Sequence, residues 1–209
     1  DMVYDVTGQP VTLEAGVKVF DKDGNEVEFD GTTPLTMMQL VVTYPFKDYT
    51  WSDGEPGKIE DFQLAYKIDC DKTGGALGYV NCDTIQNMEF ATDGTLSYTT
   101  TYLPGVQSPT YFNPIFGPYP SHQVLSDGRN LADVPAAEWA TLPEIAERPL
   151  SYGPYMITDW VKGQSITFAK NPYFAGDVAT PNIIAVFVAD TNQAVAQLDR
   201  ISQIFWRLT

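Results

Sequence analysis

Glycine turns set between short β-prone runs constrain this chain more than any other feature. Asp21-Lys22-Asp23-Gly24-Asn25 separates 17–20 from 26–29, Ala91-Thr92-Asp93-Gly94-Thr95 separates 84–90 from 96–102, and Lys162-Gly163 separates 155–160 from 165–170. The flanking runs are rich in Val, Ile, Thr and aromatic residues. A glycine supplies the backbone freedom that a tight reversal needs, so three antiparallel hairpins are predicted. The run 96–102 alternates in polarity, which predicts one wet face. In the third hairpin the period of two puts Tyr155 and Ile157 on one face, Met156 and Trp160 on the other, and Ile166 together with Phe168. The acidic turn at 21–25 invites a calcium reading as well. Its glycine sits at the fourth position when the first aspartate is counted as one, not at the sixth that an EF-hand loop requires, so it is read as a turn.

Helical signal is sparser. Ile59, Phe62 and Tyr66 recur at i, i+3 and i+7, which predicts a helix over 58–68 that buries this stripe. Glu60 and Asp61 fall in its first turn, where they complement the helix dipole. A final helix is predicted after Asp190 or Thr191, with Ala194, Leu198, Ile201 and Phe205 on one face. Short helices are expected near 122–125 and from Pro135 onward, interrupted at Pro143 and Pro149. The run 36–44 is predicted as a strand stopped by Pro45. The apolar run 183–188 is predicted as a strand buried on both faces. Between 104 and 120 the chain carries five prolines interleaved with Tyr111, Phe112, Phe116 and Tyr119, a long irregular loop of the kind that serves function or packs on itself.

The chain has 209 residues, enough for one large domain or two small ones. The composition shift near 147–151 is the best internal boundary. The fold class is therefore mixed α/β and β-rich, with a β-rich region over 1–150 and a second part over 151–209. A formal charge of -15 repels a phosphate backbone, which excludes nucleic acid as a partner. The acidic residues are scattered and are read as a solvated surface. No apolar run reaches the roughly 18 residues of a membrane helix, and no signal peptide opens the chain, as expected if one was removed or if the chain is an excised segment. Cys70 and Cys82 are the only cysteines, separated by a stretch containing Gly74, Gly75 and Gly78. A disulfide between them is preferred over two free thiols, which leans toward an extracytoplasmic compartment. Two cysteines and one distant histidine are too few for zinc.

Catalytic constellations are scarce. Ser121 and His122 are neighbours, but adjacency in sequence does not make a nucleophile and base, and there is no Gly-x-Ser-x-Gly elbow. No acidic pair is singled out for glycosidase work, and no phosphate-cradling glycine loop is present. The chain is read as a non-enzyme with no cofactor and no metal. Aromatic surface remains as the recognition chemistry, and Tyr79, Tyr111, Phe112 and Tyr119 are the candidate ligand-binding residues.

One combination of motifs carries more information. Trp51-Ser52-Asp53-Gly54-Glu55-Pro56 runs into a helix bearing Asp61, Phe62 and Tyr66. Pro120-Ser121-His122 follows, then Ser151-Tyr152-Gly153-Pro154-Tyr155, Trp160, Gly163 and Asn171-Pro172-Tyr173. In this order they resemble the family-5 extracellular solute-binding proteins, over roughly residues 35–198. Residue by residue these positions are turns, strand starts and packing aromatics, not ligand contacts. The resemblance implies a two-lobed clamshell of the type II periplasmic-binding-protein kind, with 1–150 as its small subdomain and 151–209 as part of the first lobe. It also implies a solute, peptide above all, delivered to an ABC permease in the membrane, at a periplasmic or cell-surface location. Family members are far longer, so the second lobe is expected to be missing and the isolated chain to bind solute weakly or not at all. The competing class is a secreted β-rich carbohydrate-binding or adhesion module, and a secreted hydrolase using His122 comes third.

Overall fold

The computed structural model describes residues 1–74, 82–105, 116–188, 190 and 194–195. The chain folds as two compact units. The first comprises Asp1–Tyr49 and Pro56–Thr141, the second Thr50–Glu55 and Leu142–Thr209.

The first unit begins with two hairpins. β1 (Met2–Tyr4) pairs with β2 (Pro10–Thr12), and β3 (Lys18–Phe20) pairs with β4 (Glu26–Glu28) as predicted. The turn after β3 is closed by the Asp21 carboxylate, which accepts hydrogen bonds from the amides of Asp23 and Asn25 at 2.9 and 2.8 Å, while Gly24 takes a φ of +81°. That is turn chemistry, and no cluster of three metal-ligating side chains occurs among the described residues.

The main sheet of this unit has the order β5–β7–β6, all antiparallel, from β5 (Val41–Pro45), β6 (Ile85–Phe90) and β7 (Ser97–Tyr102). β5 starts later than the predicted 36–44 and includes Pro45 as its last residue. A proline is tolerated there because β5 is a sheet edge among the described residues, where its missing N–H breaks no ladder bond. β7 shows the predicted alternation. Tyr98, Thr100 and Tyr102 are buried, while the opposite face is half-buried rather than wet.

Helix α1 (Ile59–Asp69) covers the buried face of that sheet. Phe62 stacks on Phe46 at 4.4 Å and lies 5.9 Å from Tyr98, and Tyr66 meets Phe90 and Phe116. The interior of the unit is thus a cluster of rings, with Tyr44, Phe62, Ala65, Tyr98 and Phe116 buried. The buried face of α1 is wider than the predicted stripe. It holds Asp61, Phe62, Leu64, Ala65 and Ile68, whereas Ile59 and Tyr66 are only half-buried. Helix on sheet, not sheet on sheet, is the organising contact here, which argues against the competing reading of a purely β-rich carbohydrate-binding or adhesion module.

Residues 122–125 are not helical. Gln123 closes a turn onto Pro120, and Val124 forms an isolated bridge with Asn130. The Leu125–Arg129 turn, with its Asp127 and Gly128, competes better for these backbone groups than a proline-led helix does. Helix α2 (Ala136–Trp139) follows Pro135, and α3 (Pro143–Ala146) starts on Pro143, whose fixed φ suits a first helical position.

In the second unit β8 (Tyr155–Val161), β9 (Ser165–Lys170) and β10 (Asn182–Val186) form an antiparallel sheet of order β10–β9–β8. The register contains a bulge: Ile157 pairs with Phe168, but Asp159 pairs with Thr167 and Trp160 with Ile166. The extra residue, Thr158, moves Trp160 onto the face of Tyr155 and Ile157, whereas the sequence period alone places it opposite. One face therefore collects Ile157, Trp160, Ile166, Phe168 and Ile183. The strand predicted at 183–188 is present, but it is not buried. Its five residues are all exposed, Ile184 to 63%. β10 is an antiparallel edge among the described residues, not the central strand of a parallel sheet. Beyond it, Ala194 donates to the Asp190 carbonyl at 3.2 Å, one turn at the start of the predicted final helix. Leu198, Ile201 and Phe205 lie outside the described residues.

Cys70, the residue capping the end of α1, is bonded to Cys82, with Cα atoms 5.6 Å apart. The two cysteines are 12 residues apart in sequence, and their bond closes the loop between α1 and β6. On chain-entropy grounds such a closure stabilises by about 3 kcal/mol. We expect the Cys70→Ser/Cys82→Ser double variant to lose about that amount in a urea titration. Intact mass of the oxidised protein should show no thiol that alkylates before reduction, and two that alkylate after it would complete the result.

Candidate functional site

In the second unit the two separated motifs of the sequence meet. Trp51 is 1% exposed and stands edge-on to Tyr152, ring centroids 5.4 Å apart. The Ser52 hydroxyl accepts the Ser151 amide at 3.1 Å across 99 residues of sequence. Gly54 has a φ of +96°, and a Cβ there would come within 3.0 Å of the Tyr173 ring, so the position needs glycine twice over. Asn171 is fully buried and joins the remaining pieces. Its Nδ2 donates to the Ser151 and Gly153 carbonyls at 3.3 and 3.0 Å, its Oδ1 accepts the Tyr173 amide at 3.0 Å, and its own amide donates to the Pro154 carbonyl. These are the motif residues, and their contacts hold the turns of the unit together.

In the first unit Asp61 plays the corresponding part. It is fully buried. Oδ2 accepts the Tyr49 hydroxyl at 2.8 Å and the Lys58 amide at 3.0 Å. Oδ1 accepts the Ser121 amide at 2.9 Å and the Ser121 hydroxyl at 2.6 Å. The Asp61 carbonyl takes the Tyr119 amide as well. One carboxylate thus ties the start of α1, the segment before it and the Pro120-Ser121-His122 motif together. Ser121 spends its proton on that carboxylate, which makes it a fastening, not a nucleophile activated by His122.

Of the candidate recognition residues, Tyr79, Tyr111 and Phe112 lie outside the described residues. Tyr119 is half-buried. Its hydroxyl donates to Asp69 Oδ1 at 2.8 Å and its ring packs 5.1 Å from Trp139. Burial raises the pKa of the Tyr119 phenol, and the bond to Asp69 raises it further. Burial likewise raises the Asp69 carboxyl, with the Tyr119 bond acting against it. Two open concavities are lined by described residues. One, of about 440 Å³ in the second unit, has Tyr152, Tyr155, Met156, Ile157 and Phe168 on its walls. The other, of about 480 Å³ in the first unit, lies at the start of α1 beside Lys58, Glu60, Gln63 and Thr92.

The acidity of the chain has a structural use that sequence pattern does not show. Asp5, Asp30, Asp71 and Asp93 each accept both the amide and the hydroxyl of the threonine two residues on, and Asp21 and Asp127 close similar turns. Hydrogen bonds from neighbouring hydroxyls and amides hold all six carboxyls below the usual range. A carboxyl depressed in the folded state stabilises above its unfolded pKa and loses that contribution as pH falls through the folded one. The thermal midpoint is therefore expected to stay level near neutrality and to fall progressively below about pH 4. A midpoint that rises on acidification to about pH 3 would contradict this.

The fold matches part of each of two larger solved structures. AppA of Bacillus subtilis, an oligopeptide-binding protein solved with a nonapeptide, superposes with a TM-score of 0.65 at 18% identity, over 91% of this chain and 37% of that one. NikZ of Campylobacter jejuni, solved with Ni(L-His), gives 0.61 at 22% identity, over 96% and 35%. The chain belongs to the bacterial extracellular solute-binding proteins, family 5, whose "Middle" description matches residues 39–208. Among curated relatives, Protein XP55 of Streptomyces lividans is 24% identical over 94% of this chain and 37% of its own length, and the oligopeptide-binding protein OppA of Lactococcus lactis subsp. lactis is 25% identical over 73% and 27%. The chain therefore spans 37% and 27% of the length of these relatives. The family is one of solute-binding proteins, not enzymes, and no described helix is long and apolar enough to cross a membrane.

Proposed function

We propose that the chain works in solute capture for an ABC importer, outside the cytoplasmic membrane, and that its solute is a peptide. The match of residues 39–208 to the family carries the reading. Peptide is favoured because AppA is described with a nonapeptide and lactococcal OppA with an endogenous peptide, and the Cys70–Cys82 bond suits an oxidising compartment. In this reading residues 1–150 form a small subdomain and 151–209 part of a first lobe. The solute lies in a cleft of which these 209 residues supply one side. Tyr79, Tyr111, Phe112 and the ring of Tyr119 are the aromatic contacts we assign to it. The ABC permease is the macromolecular partner.

Calorimetry with a pool of short peptides, and separately with nickel–histidine, tests the reading. The 209-residue chain is expected to bind peptides more weakly than micromolar, and the same residues within a complete two-lobed polypeptide to bind them at micromolar affinity or better. Tight peptide binding by the 209 residues alone would overturn the one-sided cleft. Binding of nickel–histidine with no peptide binding by the two-lobed form would overturn the solute class.

A further inference from the structure

We propose that Thr50–Glu55 is a folding strap that makes the second unit's stability depend on the first. The chain leaves the first unit after Tyr49, spends six residues in the second, and returns at Pro56. Those residues are built in, not draped. Trp51 N–H donates to the Glu55 carbonyl at 2.8 Å and Gly54 N–H to the Trp51 carbonyl at 2.9 Å, which closes a tight turn. That turn inserts the Trp51 ring against Tyr152, gives Ser151 its acceptor in Ser52, and lays Gly54 on Tyr173. Ser151 and Tyr173 are in turn the residues that Asn171 joins. The strap is therefore a structural member of the second unit, taken from the sequence of the first.

Its two feet are held elsewhere. The Gly57 amide donates to the Tyr49 carbonyl at 2.8 Å, and the Gly57 backbone lies so close to the Tyr49 ring that any Cβ there would collide with it. The Tyr49 hydroxyl and the Lys58 amide both end on the buried Asp61 carboxylate. Both feet are thus pinned by one buried group of the first unit, and the strap is presented as a closed loop. When the first unit loses its order, the feet separate and the strap becomes open chain. Docking it into the second unit must then overcome the entropy of closing that loop anew. Coupling of this kind is reciprocal: loosening the docked strap also relaxes the feet.

Hydrogen exchange on the full chain tests it, with Asp61→Asn and the milder Tyr49→Phe as perturbations in the first unit. The readout is the protection of amides in β8 and β9, which contain neither residue. Protection there is expected to fall together with that of α1 and β7, about tenfold in the milder variant. A Gly-Ser insertion between Glu55 and Pro56, which lengthens one foot, should leave α1 protected and abolish the transmission. Protection lost in α1 and β7 with β8 and β9 unchanged would overturn the proposal. So would transmission that survives the insertion undiminished.

Discussion

Replacing Asp61 by alanine is expected to lower the stability of the first unit by about 4 kcal/mol, a large part of the margin of a typical domain. The carboxylate accepts four hydrogen bonds inside the protein, from the Tyr49 hydroxyl, the Lys58 amide and both the amide and hydroxyl of Ser121. Hydrogen bonds to a charged group are each worth more than neutral ones, and their loss leaves buried donors facing a methyl group. The alanine also vacates a fully enclosed position. Asp61→Asn keeps the shape and can accept through one oxygen only, so it should fall between alanine and wild type. Urea titration with an unchanged m-value is the measurement. Asp61→Ala combined with Ser121→Ala should cost less than the sum of the single changes, because the same bonds are removed twice. A loss below about 1 kcal/mol for Asp61→Ala would mean that water replaces the carboxylate and that the node does not organise the unit.

Much of this architecture is legible locally. The hairpins at 17–29, 84–102 and 155–170 follow from turn glycines and β-prone flanks, and α1 follows from the spacing of Ile59, Phe62 and Tyr66. These signals act over a few residues, so the sequence displays them directly. What is not legible depends on partners far along the chain. Asp61 reads as an acidic residue placed favourably in a first helical turn. Its main partners, Tyr49 and Ser121, lie 12 and 60 residues away. Asn171 reads as the end of a strand, and it is also the buried clasp that ties the 151–154 segment to the turn at Tyr173. The period of two puts Trp160 on the wrong face because the bulge at Thr158 carries no glycine or proline to announce it. The apolar run 183–188 suggests burial on both faces, but hydrophobicity reports a preference and not the presence of a neighbour, and β10 is an exposed edge. The family motifs are recognisable from their order alone. Their contact in space across 99 residues explains why they occur together.

The acidic residues show the same difference between pattern and placement. Counted, they give a charge of -15, which argues against a phosphate backbone as a partner. Placed, several are the means by which short hairpins are closed in a chain with few long elements. A turn aspartate that accepts the amide and hydroxyl of the following threonine fixes the chain locally without needing a core. The first 34 residues, with two three-residue hairpins, depend on this device.

Trp51→Ala is the second change expected to have a large effect, about 3–5 kcal/mol on the second unit. The indole is almost wholly enclosed and is the largest fully buried side chain among the described residues. Its removal takes away the edge-on contact with Tyr152 and leaves a cavity that the surrounding turns cannot close, because Ser151, Gly153 and Tyr173 are all held by Asn171. Trp51→Phe fills part of the space and should recover part of the loss. The effect is expected to exceed that of Trp139→Ala on side-chain enclosure, since Trp139 is 6% exposed against 1% for Trp51. Thermal unfolding followed by near-ultraviolet circular dichroism reads the change, and exchange of the β8 and β9 amides locates it in the second unit. If Trp51→Ala leaves those amides as protected as in wild type, the segment Thr50–Glu55 merely rests on the second unit, and the first family motif does not hold that unit together.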